Sequence, residues 1–367
     1  MAKYPSASIL LLVALVCVSG VAQINGLDIH NSICKTLVET RGYICQEHHV
    51  TTEDGYILGL LRIPHGRSGS KSTRDQKPPV LLQHGLLADA ASWLLNPQDQ
   101  ALAFILSDKG YDVWLANTRG TDSSRGHKSL ITKDPAYWDW TWEQLAAYDL
   151  PALFNYVNNQ IGQKSHYVGH YSLGTLTILA AFPIAHLGQI STTLLRVATQ
   201  TFLAEQFYIF GLREFPPLGR LEQTLQTILC IHPGVDCSYI LTAITGPNCC
   251  LSPSSLDLLY EHTPQSTSTK NIVHLSQMIR SGTIRMFDYT LPLKNLQHYN
   301  RFTPPVYNMA NIPKDIPLFL GYGGRDALSD VNDVKALLYD LKDHDKDKLV
   351  EQYVEEYAHM DYGLECQ

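Results

Sequence analysis

Short apolar runs typical of buried strands alternate with amphipathic stretches typical of helices along most of this chain. The runs cover residues 80–83, 111–116, 166–168 and 316–320, and residues 350–357 are predicted as a further strand. Strand–helix units repeated in this way pack as a mostly parallel central sheet with helices on its faces. The sequence therefore predicts an α/β fold, with an antiparallel hairpin at residues 45–64 ahead of the alternation.

One long stretch, residues 190–310, interrupts this pattern with helical periodicity, several prolines and a cluster of cysteines. At 367 residues the chain has room for two domains, or for one large α/β domain with an insertion. Because the alternation resumes afterwards, we predict a single core formed by residues 23–189 and 311–367. Residues 190–310 would then be inserted as a helical cap above the sheet.

The N-terminus has the pattern of a secretory signal peptide. Lys3 precedes an apolar run over residues 9–18, and small residues follow as far as Ala22. This run is too short to cross about 30 Å of hydrocarbon, so a transmembrane anchor is the weaker alternative. We predict that residues 1–22 are a signal peptide and that the mature chain has no transmembrane segment. The protein would be secreted or reach the lumen of the secretory pathway, extracellular or vacuolar/lysosomal.

The charge balance restricts the class of partner. The chain has 28 Lys and Arg against 35 Asp and Glu, a formal net charge of −7. It therefore lacks the basic excess that neutralises phosphates in nucleic-acid complexes, and no nucleic-acid partner is expected. With 45% hydrophobic residues it is also not an intrinsically disordered chain. The sequence does not indicate an oligomeric state.

Seven cysteines remain after removal of the leader, in a compartment where disulfides form. Cys34 and Cys45 lie close together in the sequence and could close a short loop. A second group is the cluster of Cys230, Cys237, Cys249 and Cys250. No histidine accompanies this cluster at zinc-finger spacing, so disulfides are favoured over a metal site. Four cysteines leave three pairings open.

The first chemical motif is Ser172, in the run Gly169-His170-Tyr171-Ser172-Leu173-Gly174 at a predicted strand-to-helix junction. A sharp turn at such a junction exposes the serine, and the following helix directs its N-terminus at the reaction centre. The first half of the motif is irregular, because His170 stands where a small residue is usual and Tyr171 has the character of an insertion. A serine that only caps a helix is the alternative interpretation.

Two acid and base candidates follow late in the chain. Asp326 comes after one predicted strand and His359 after the next. In serine hydrolases the histidine takes the serine proton and a buried aspartate orients the imidazole, and the order Ser172, Asp326, His359 is that of the α/β-hydrolases. Backbone N–H groups of the turn His84-Gly85-Leu86-Leu87, just after the first core strand, can point at a developing oxyanion, with the N–H of Leu173 as the second donor.

Taken together, these motifs resemble the secreted acid lipases, the family of gastric and lysosomal acid lipases, and most closely the plant triacylglycerol lipases. The matching stretches include residues 52–58, 82–86, 117–120 and 137–142, Asn248-Cys249-Cys250, residues 268–271 and Tyr322-Gly323-Gly324. The resemblance implies an α/β-hydrolase fold with a helical cap. It also implies hydrolysis of triacylglycerol or related lipid esters at an oil–water interface, with no metal and no organic cofactor. By position it assigns the nucleophile, acid, base and two backbone donors to Ser172, Asp326, His359, Leu86 and Leu173.

Three departures from the family pattern leave two functional hypotheses open. Tyr171 lengthens the serine motif, and a final helix is expected to be missing after His359. One central strand of the sheet is also expected to be missing, unless residues 194–198 supply it. The first hypothesis is a secreted serine-dependent lipase that works through an acyl-enzyme. The second is a catalytically impaired, truncated homologue, a pseudoenzyme or splice product, that at most binds lipid.

Overall fold

The structure is a computed structural model. It describes residues 32–67, 77–170, 188, 190–216, 238–308 and 311–362. The predicted leader, residues 1–22, lies outside this part of the chain. The described residues form a mixed sheet, a smaller parallel pair of strands and a set of helices, in agreement with the predicted α/β class.

The main sheet contains six strands. They are β1 (Gln46–Thr51), β2 (Tyr56–Ile63), β3 (Pro79–Gln83), β4 (Asp112–Ala116), β5 (Gly126–His127) and β6 (His166–Gly169). Their order is β1-β2-β4-β3-β6, with β5 paired to β2. β3 runs parallel to β4 and β6, and β1 and β2 form the predicted antiparallel hairpin. The three predicted core strands in this part of the chain are confirmed to within one residue at each end.

Two further strand pairs lie outside the main sheet. β7 (Glu214–Phe215) and β8 (Thr267–Ser268) are antiparallel, whereas β9 (Leu318–Gly323) and β10 (Leu349–Val354) are parallel. The two predicted late strands are therefore present but displaced along the sequence. β9 ends three residues later than predicted and β10 three residues earlier.

The helices alternate with the strands at both ends of the chain and cluster in its middle. They are α1 (Leu102–Asp108), α2 (Leu150–Ile161), α3 (Thr193–Gln200), α4 (Leu203–Ile209), α5 (Ser238–Thr245), α6 (Pro253–His262), α7 (Thr269–Ser281), α8 (Pro292–Tyr299) and α9 (Val331–Asp340). Shorter helical turns cover Cys34–Val38, Glu39–Arg41, Ala90–Trp93, Asp122–Ser124, Pro135–Trp138, Trp142–Gln144 and Leu145–Asp149. We call residues 190–216 and 238–308, which hold α3 to α8, the helical segment. No helix in the described ranges is long and apolar enough to span a membrane.

α2 shows how the sequence periodicity directs packing. Leu150, Leu153 and Val157 are its buried residues, and their spacing of three and four puts them on one face against the sheet. Pro151 stands in the first turn, where its missing N–H has no intrahelical partner to lose. A π-helical turn, Leu145–Asp149, precedes it, so the helix changes character where the proline predicts a break.

The central strand that the sequence predicts to be missing is not found among the described residues, in which no strand joins β6 to β9. Residues 194–198 do not replace it, and that suggestion is wrong because they lie in α3. Leu195 packs against the core and Thr199, one helical turn later, is buried, a spacing that suits one face of a helix. The described residues that follow β10 contain no helix and end at Tyr362.

A buried arginine joins three segments of the core. Arg119 lies in the loop after β4, and its side chain is 1% exposed. The guanidinium donates to both carboxylate oxygens of Asp54, at 2.7 and 2.9 Å. Its Nε donates to Asp149 at 2.8 Å, and its backbone N–H donates to the same carboxylate at 3.2 Å. The guanidinium also lies 3.8 Å from the centre of the Tyr56 ring. The hairpin turn, the loop after β4 and the start of α2 are thus fixed to one cation.

The two carboxylates depend on this cation to different degrees. Asp149 is fully buried, and burial raises its pKa despite the opposing charge of Arg119. Burial also acts to raise the pKa of Asp54, but hydrogen bonds and charge from Arg119 outweigh it and the net pKa is lowered. Loss of Arg119 would therefore leave Asp149 as a buried carboxylate without its cation.

We expect Arg119→Met to destabilise the protein by about 3–5 kcal/mol, the usual cost of breaking a buried ion pair from one side. Urea unfolding followed by circular dichroism measures the change. Lys348→Met is the matched control, because the Lys348–Asp347 pair is exposed on both sides and should change stability by less than about 1 kcal/mol. Equal effects of the two substitutions would show that the buried pair does not hold the three segments together.

Candidate functional site

Asp326 lies in the loop between β9 and α9. Its Oδ1 accepts hydrogen bonds from the backbone N–H groups of Leu328, at 2.8 Å, and Ser329, at 2.7 Å. Only 8% of its side chain is exposed. The loop therefore orients the carboxylate through its own backbone, a common behaviour of aspartate in turns.

His359 lies in the loop after β10 and meets Asp326 directly. Its Nδ1 is 3.0 Å from Oδ2 and 3.2 Å from Oδ1 of Asp326. Because an ionised carboxylate can only accept, Nδ1–H is the donor, and on a neutral ring Nε2 is the nitrogen whose lone pair can act as a base. The structure thus brings together the two residues that the sequence predicts as acid and base.

Opposing influences set the charge of Asp326. Burial acts to raise the pKa of this carboxyl group, because it penalises the charged form. The charge and hydrogen bond of His359 and the two backbone N–H donors have the larger combined effect, so the pKa is lowered below its ordinary value. Asp326 is accordingly an anion that can stabilise a positive charge on the imidazole.

His170, at the end of β6, borders this pair. Its backbone N–H donates to the Gln83 carbonyl at 3.0 Å and continues the pairing of β6 with β3. Its ring contacts His359 edge to face, with centroids 5.1 Å apart and planes at 90°, and lies 6.3 Å from the Trp93 ring. The sequence marks His170 only as an irregular residue of the serine motif, and its contact with His359 is a finding of the structure. Ser172 and Leu173 lie outside the described residues.

The turn after β3 that carries Leu86 is held in place by His84. Nε2 of this buried ring accepts from the Thr118 N–H at 3.1 Å, so Nδ1–H donates to the Gly85 carbonyl at 2.8 Å. Burial lowers the pKa of His84, which keeps the ring neutral and this arrangement intact. On the far side of the turn, the Leu87 carbonyl accepts from the Gln265 N–H at 2.8 Å. Leu86 is thus part of a turn anchored to both the core and the helical segment.

The cysteines fall into two environments. Cys34 and Cys45 form the disulfide that their spacing allows. Cys249 and Cys250 lie beside Asp361, and their sulfur atoms and its carboxylate lie within 4.8 Å of one another, so this is a group whose ligand atoms could meet at a metal ion. Both oxygens of Asp361 already accept backbone N–H groups, which commits the carboxylate to the protein's own loops. Cys230 and Cys237 lie outside the described residues.

A cavity of about 910 Å³ lies apart from the Asp326–His359 pair. Its lining comes from the N-terminal turn, the hairpin and α6, and includes His48, Asp89 and His262. His262 Nδ1 is 3.8 Å from an Asp89 oxygen. Burial acts to lower the pKa of His262, but the Asp89 carboxylate raises it above the ordinary value. The size of this cavity does not make it the candidate active site, because neither the predicted acid nor the predicted base lines it.

Comparison with known proteins gives the family context. Residues 34–97 match the family described as the partial alpha/beta-hydrolase lipase region, and residues 78–186 match the family described as the alpha/beta hydrolase fold. The chain is 46% identical to triacylglycerol lipase 2 of Arabidopsis thaliana over 347 residues, which are 90% of this chain and 83% of that protein. It is 37% identical to triacylglycerol lipase 1 of the same plant, over 91% of this chain and 86% of that protein.

A human relative extends the similarity beyond plants. The chain is 35% identical to lysosomal acid lipase/cholesteryl ester hydrolase of Homo sapiens, over 89% of this chain and 85% of that protein. Identity of this extent over most of each chain confirms the α/β-hydrolase fold that the sequence predicts. The chain therefore belongs to the acid lipase family of α/β-hydrolases, together with the plant triacylglycerol lipases and the gastric and lysosomal acid lipases.

Proposed function

We propose that this protein is a secreted serine-dependent lipase that hydrolyses triacylglycerol or related lipid carboxylic esters through an acyl-enzyme. Ser172 is the proposed nucleophile, His359 the base and Asp326 the residue that orients it. The hydrogen bond between His359 Nδ1 and Asp326 is the observation that carries the proposal. The similarity to named triacylglycerol lipases supports the substrate class.

The first half of the reaction follows from the orientation of the imidazole. Nε2 of His359 accepts the Ser172 hydroxyl proton while Oγ bonds to the ester carbonyl carbon. Asp326, ionised because of its lowered pKa, stabilises the imidazolium that forms. Backbone N–H groups of Leu86 and Leu173 are the proposed donors to the oxyanion. The imidazolium then returns its proton to the departing alcohol, which leaves an acyl group on Ser172.

Water completes the cycle by the same route. His359 takes a proton from a water molecule that attacks the acyl-enzyme, and returns it to Ser172 as the fatty acid leaves. Each step moves one proton between His359 and an oxygen atom, so no metal or organic cofactor is needed. The substrate is a lipid ester at an oil–water interface, and the helical segment acts as a cap over the site. Residues 1–22 direct the chain into the secretory pathway.

We expect the mature protein to hydrolyse a medium-chain p-nitrophenyl ester and to react covalently with a fluorophosphonate serine-hydrolase probe. Ser172→Ala should abolish labelling and lower kcat on the order of 10⁶-fold, as loss of a nucleophile does in a serine triad. Ser129→Ala is the control, because Ser129 is an exposed serine in a loop beside the main sheet. Labelling and turnover in each variant, measured on folded protein, test the assignment.

Two results would contradict this proposal in different ways. Turnover that survives Ser172→Ala would remove Ser172 from the mechanism. A folded wild-type protein without turnover or labelling would support the impaired homologue instead. Deletion of Tyr171 sharpens that outcome, because it restores a Gly-His-Ser-Leu-Gly spacing and should then bring back both turnover and labelling.

The lowered pKa of Asp326 predicts a pH-dependent contribution to stability. A carboxyl group whose folded pKa is depressed stabilises the fold above its unfolded pKa, about 3.9 for aspartate, and loses this effect as pH falls through the lower folded pKa. The difference in unfolding free energy between wild type and Asp326→Asn should therefore be constant from about pH 7 to about pH 5 and shrink as the pH falls further, towards about 3. Urea unfolding over this range measures the change, and Asp343→Asn, which removes an exposed carboxylate, is the comparison variant.

A further inference from the structure

One loop of the helical segment contacts both loops that carry the acid and the base. Residues 245–250, which we call the clamp loop, begin at the last residue of α5. The Thr245 carbonyl accepts from the backbone N–H of His359 at 3.1 Å and from that of Ala327 at 3.3 Å. A single carbonyl group therefore ties the backbone of the proposed base to the residue that follows the proposed acid.

The next residue, Gly246, brings the backbone of the clamp loop into direct contact with the backbone of the loop that carries Asp326. Gly246 has φ of +94°, and a Cβ at this position would lie 2.1 Å from the Arg325 carbonyl oxygen. Both the backbone conformation and the available space therefore require glycine here. The clamp loop can pack against the Asp326 loop only because no side chain separates them.

Side chains complete the connection in both directions. Oδ1 of Asn248, in the clamp loop, accepts from the Met360 N–H at 3.1 Å, and its Nδ2 donates to the Thr245 hydroxyl at 2.7 Å. In return, Asp361 accepts from the backbone N–H groups of Cys249, at 3.2 Å, and Cys250, at 3.1 Å. Each of the three residues His359, Met360 and Asp361 is thus hydrogen-bonded to the clamp loop.

Asp361 also closes the turn that contains the base. Its Oδ2 accepts from the Ala358 N–H at 2.7 Å, and its own N–H donates to the Ala358 carbonyl at 3.2 Å. The Asp361 side chain is fully buried. Three backbone N–H groups converge on this carboxylate, an arrangement in which each charge-assisted bond is stronger than a bond between neutral groups. His359 lies inside the turn that these bonds close.

We propose that Asp361 and Asn248 are positioning residues that set the imidazole of His359 against Asp326 by locking the turn of residues 358–361 to the clamp loop. This inference rests on the proposed function, since it treats His359 as the base. Neither side chain touches substrate in this role. Each acts through the backbone on both sides of His359, where a displacement of roughly 1 Å can cost about 10²-fold in rate.

Asp361→Asn is the direct test, because it keeps the shape of the side chain but replaces an accepting oxygen with an NH₂ group that faces N–H donors. We expect kcat for a soluble short-chain ester to fall about 10²-fold while KM changes by less than about twofold, because the ester-binding surface is untouched. Asp112→Asn is the matched control. Asp112 is a buried carboxylate of the main sheet, bound to Arg62 at 2.9 Å by two bonds, and its loss should lower stability without changing kcat.

A second measurement does not depend on turnover. The Nδ1–H proton of His359, hydrogen-bonded to Asp326, should give a downfield proton NMR signal in wild type that disappears or shifts in Asp361→Asn and persists in Asp112→Asn. If the wild-type protein does not turn over ester, the proposed lipase function fails, and this signal still tests the positioning role. An unchanged signal in Asp361→Asn would overturn it.

Two further results bear on the proposal. A kcat of Asp361→Asn within about threefold of wild type, or an equal loss of kcat in Asp112→Asn, would reject the positioning role. If Asp361→Asn does not fold, Asn248→Ala decides. Asn248 is only half-buried, and its truncation removes the bond from the Met360 N–H but leaves the bond between the His359 N–H and the Thr245 carbonyl in place. We then expect a fall in kcat of about tenfold, and an unchanged kcat would reject the proposal.

Discussion

The parallel pairing of β9 with β10 is the constraint on which the candidate site depends. Gly323 and Val354 are paired at the ends of these strands, so the two loops that follow leave the same edge. Backbone bonds extend the pairing beyond the strands, from the Gly324 N–H to the Val354 carbonyl and from the Arg325 N–H to the Tyr357 carbonyl, both at 2.9 Å. The distance between Asp326 and His359 is thus set by backbone geometry before either side chain is considered.

The pairing of β9 with β10 leaves no room for a side chain at Gly323 and Gly324, where β9 ends. A Cβ on Gly323 would lie 2.0 Å from the Tyr357 carbonyl oxygen, and one on Gly324 would lie 2.5 Å from that of Glu355. The β9–β10 pair does not join the main sheet within the described part of the chain, and Phe319 remains 61% exposed. Contacts with the helical segment, in which the Ser191 N–H and the Thr245 carbonyl each bind Ala327, therefore take on a structural role.

The sequence predicts the strands well, but it does not predict the hydrogen bonds that join one loop to another. Apolar runs mark β3 and β4, whose residues are all buried, because buried strands need apolar side chains on both faces. A position just after a strand marks Asp326 and His359. The bonds between Asp361 and the clamp loop join residues more than a hundred positions apart and use backbone N–H groups, which every residue except proline carries. No residue type distinguishes such a bond in advance. The prediction for residues 194–198 failed because a short apolar run suits a strand and one turn of a helix equally.

Three buried aspartates differ in the groups that balance their negative charge, and this difference decides whether each has a structural or a chemical role. Asp149 is bound by a guanidinium, which stays charged at any pH the protein meets, so that pair is purely structural. Asp361 accepts three backbone N–H groups of the protein's own loops, and the ionisable side chains beside it are the thiols of Cys249 and Cys250. Asp326 combines two backbone donors with an imidazole. Of the three it is the one whose partner takes up and returns a proton in the proposed mechanism, and its negative charge stabilises the imidazolium that forms.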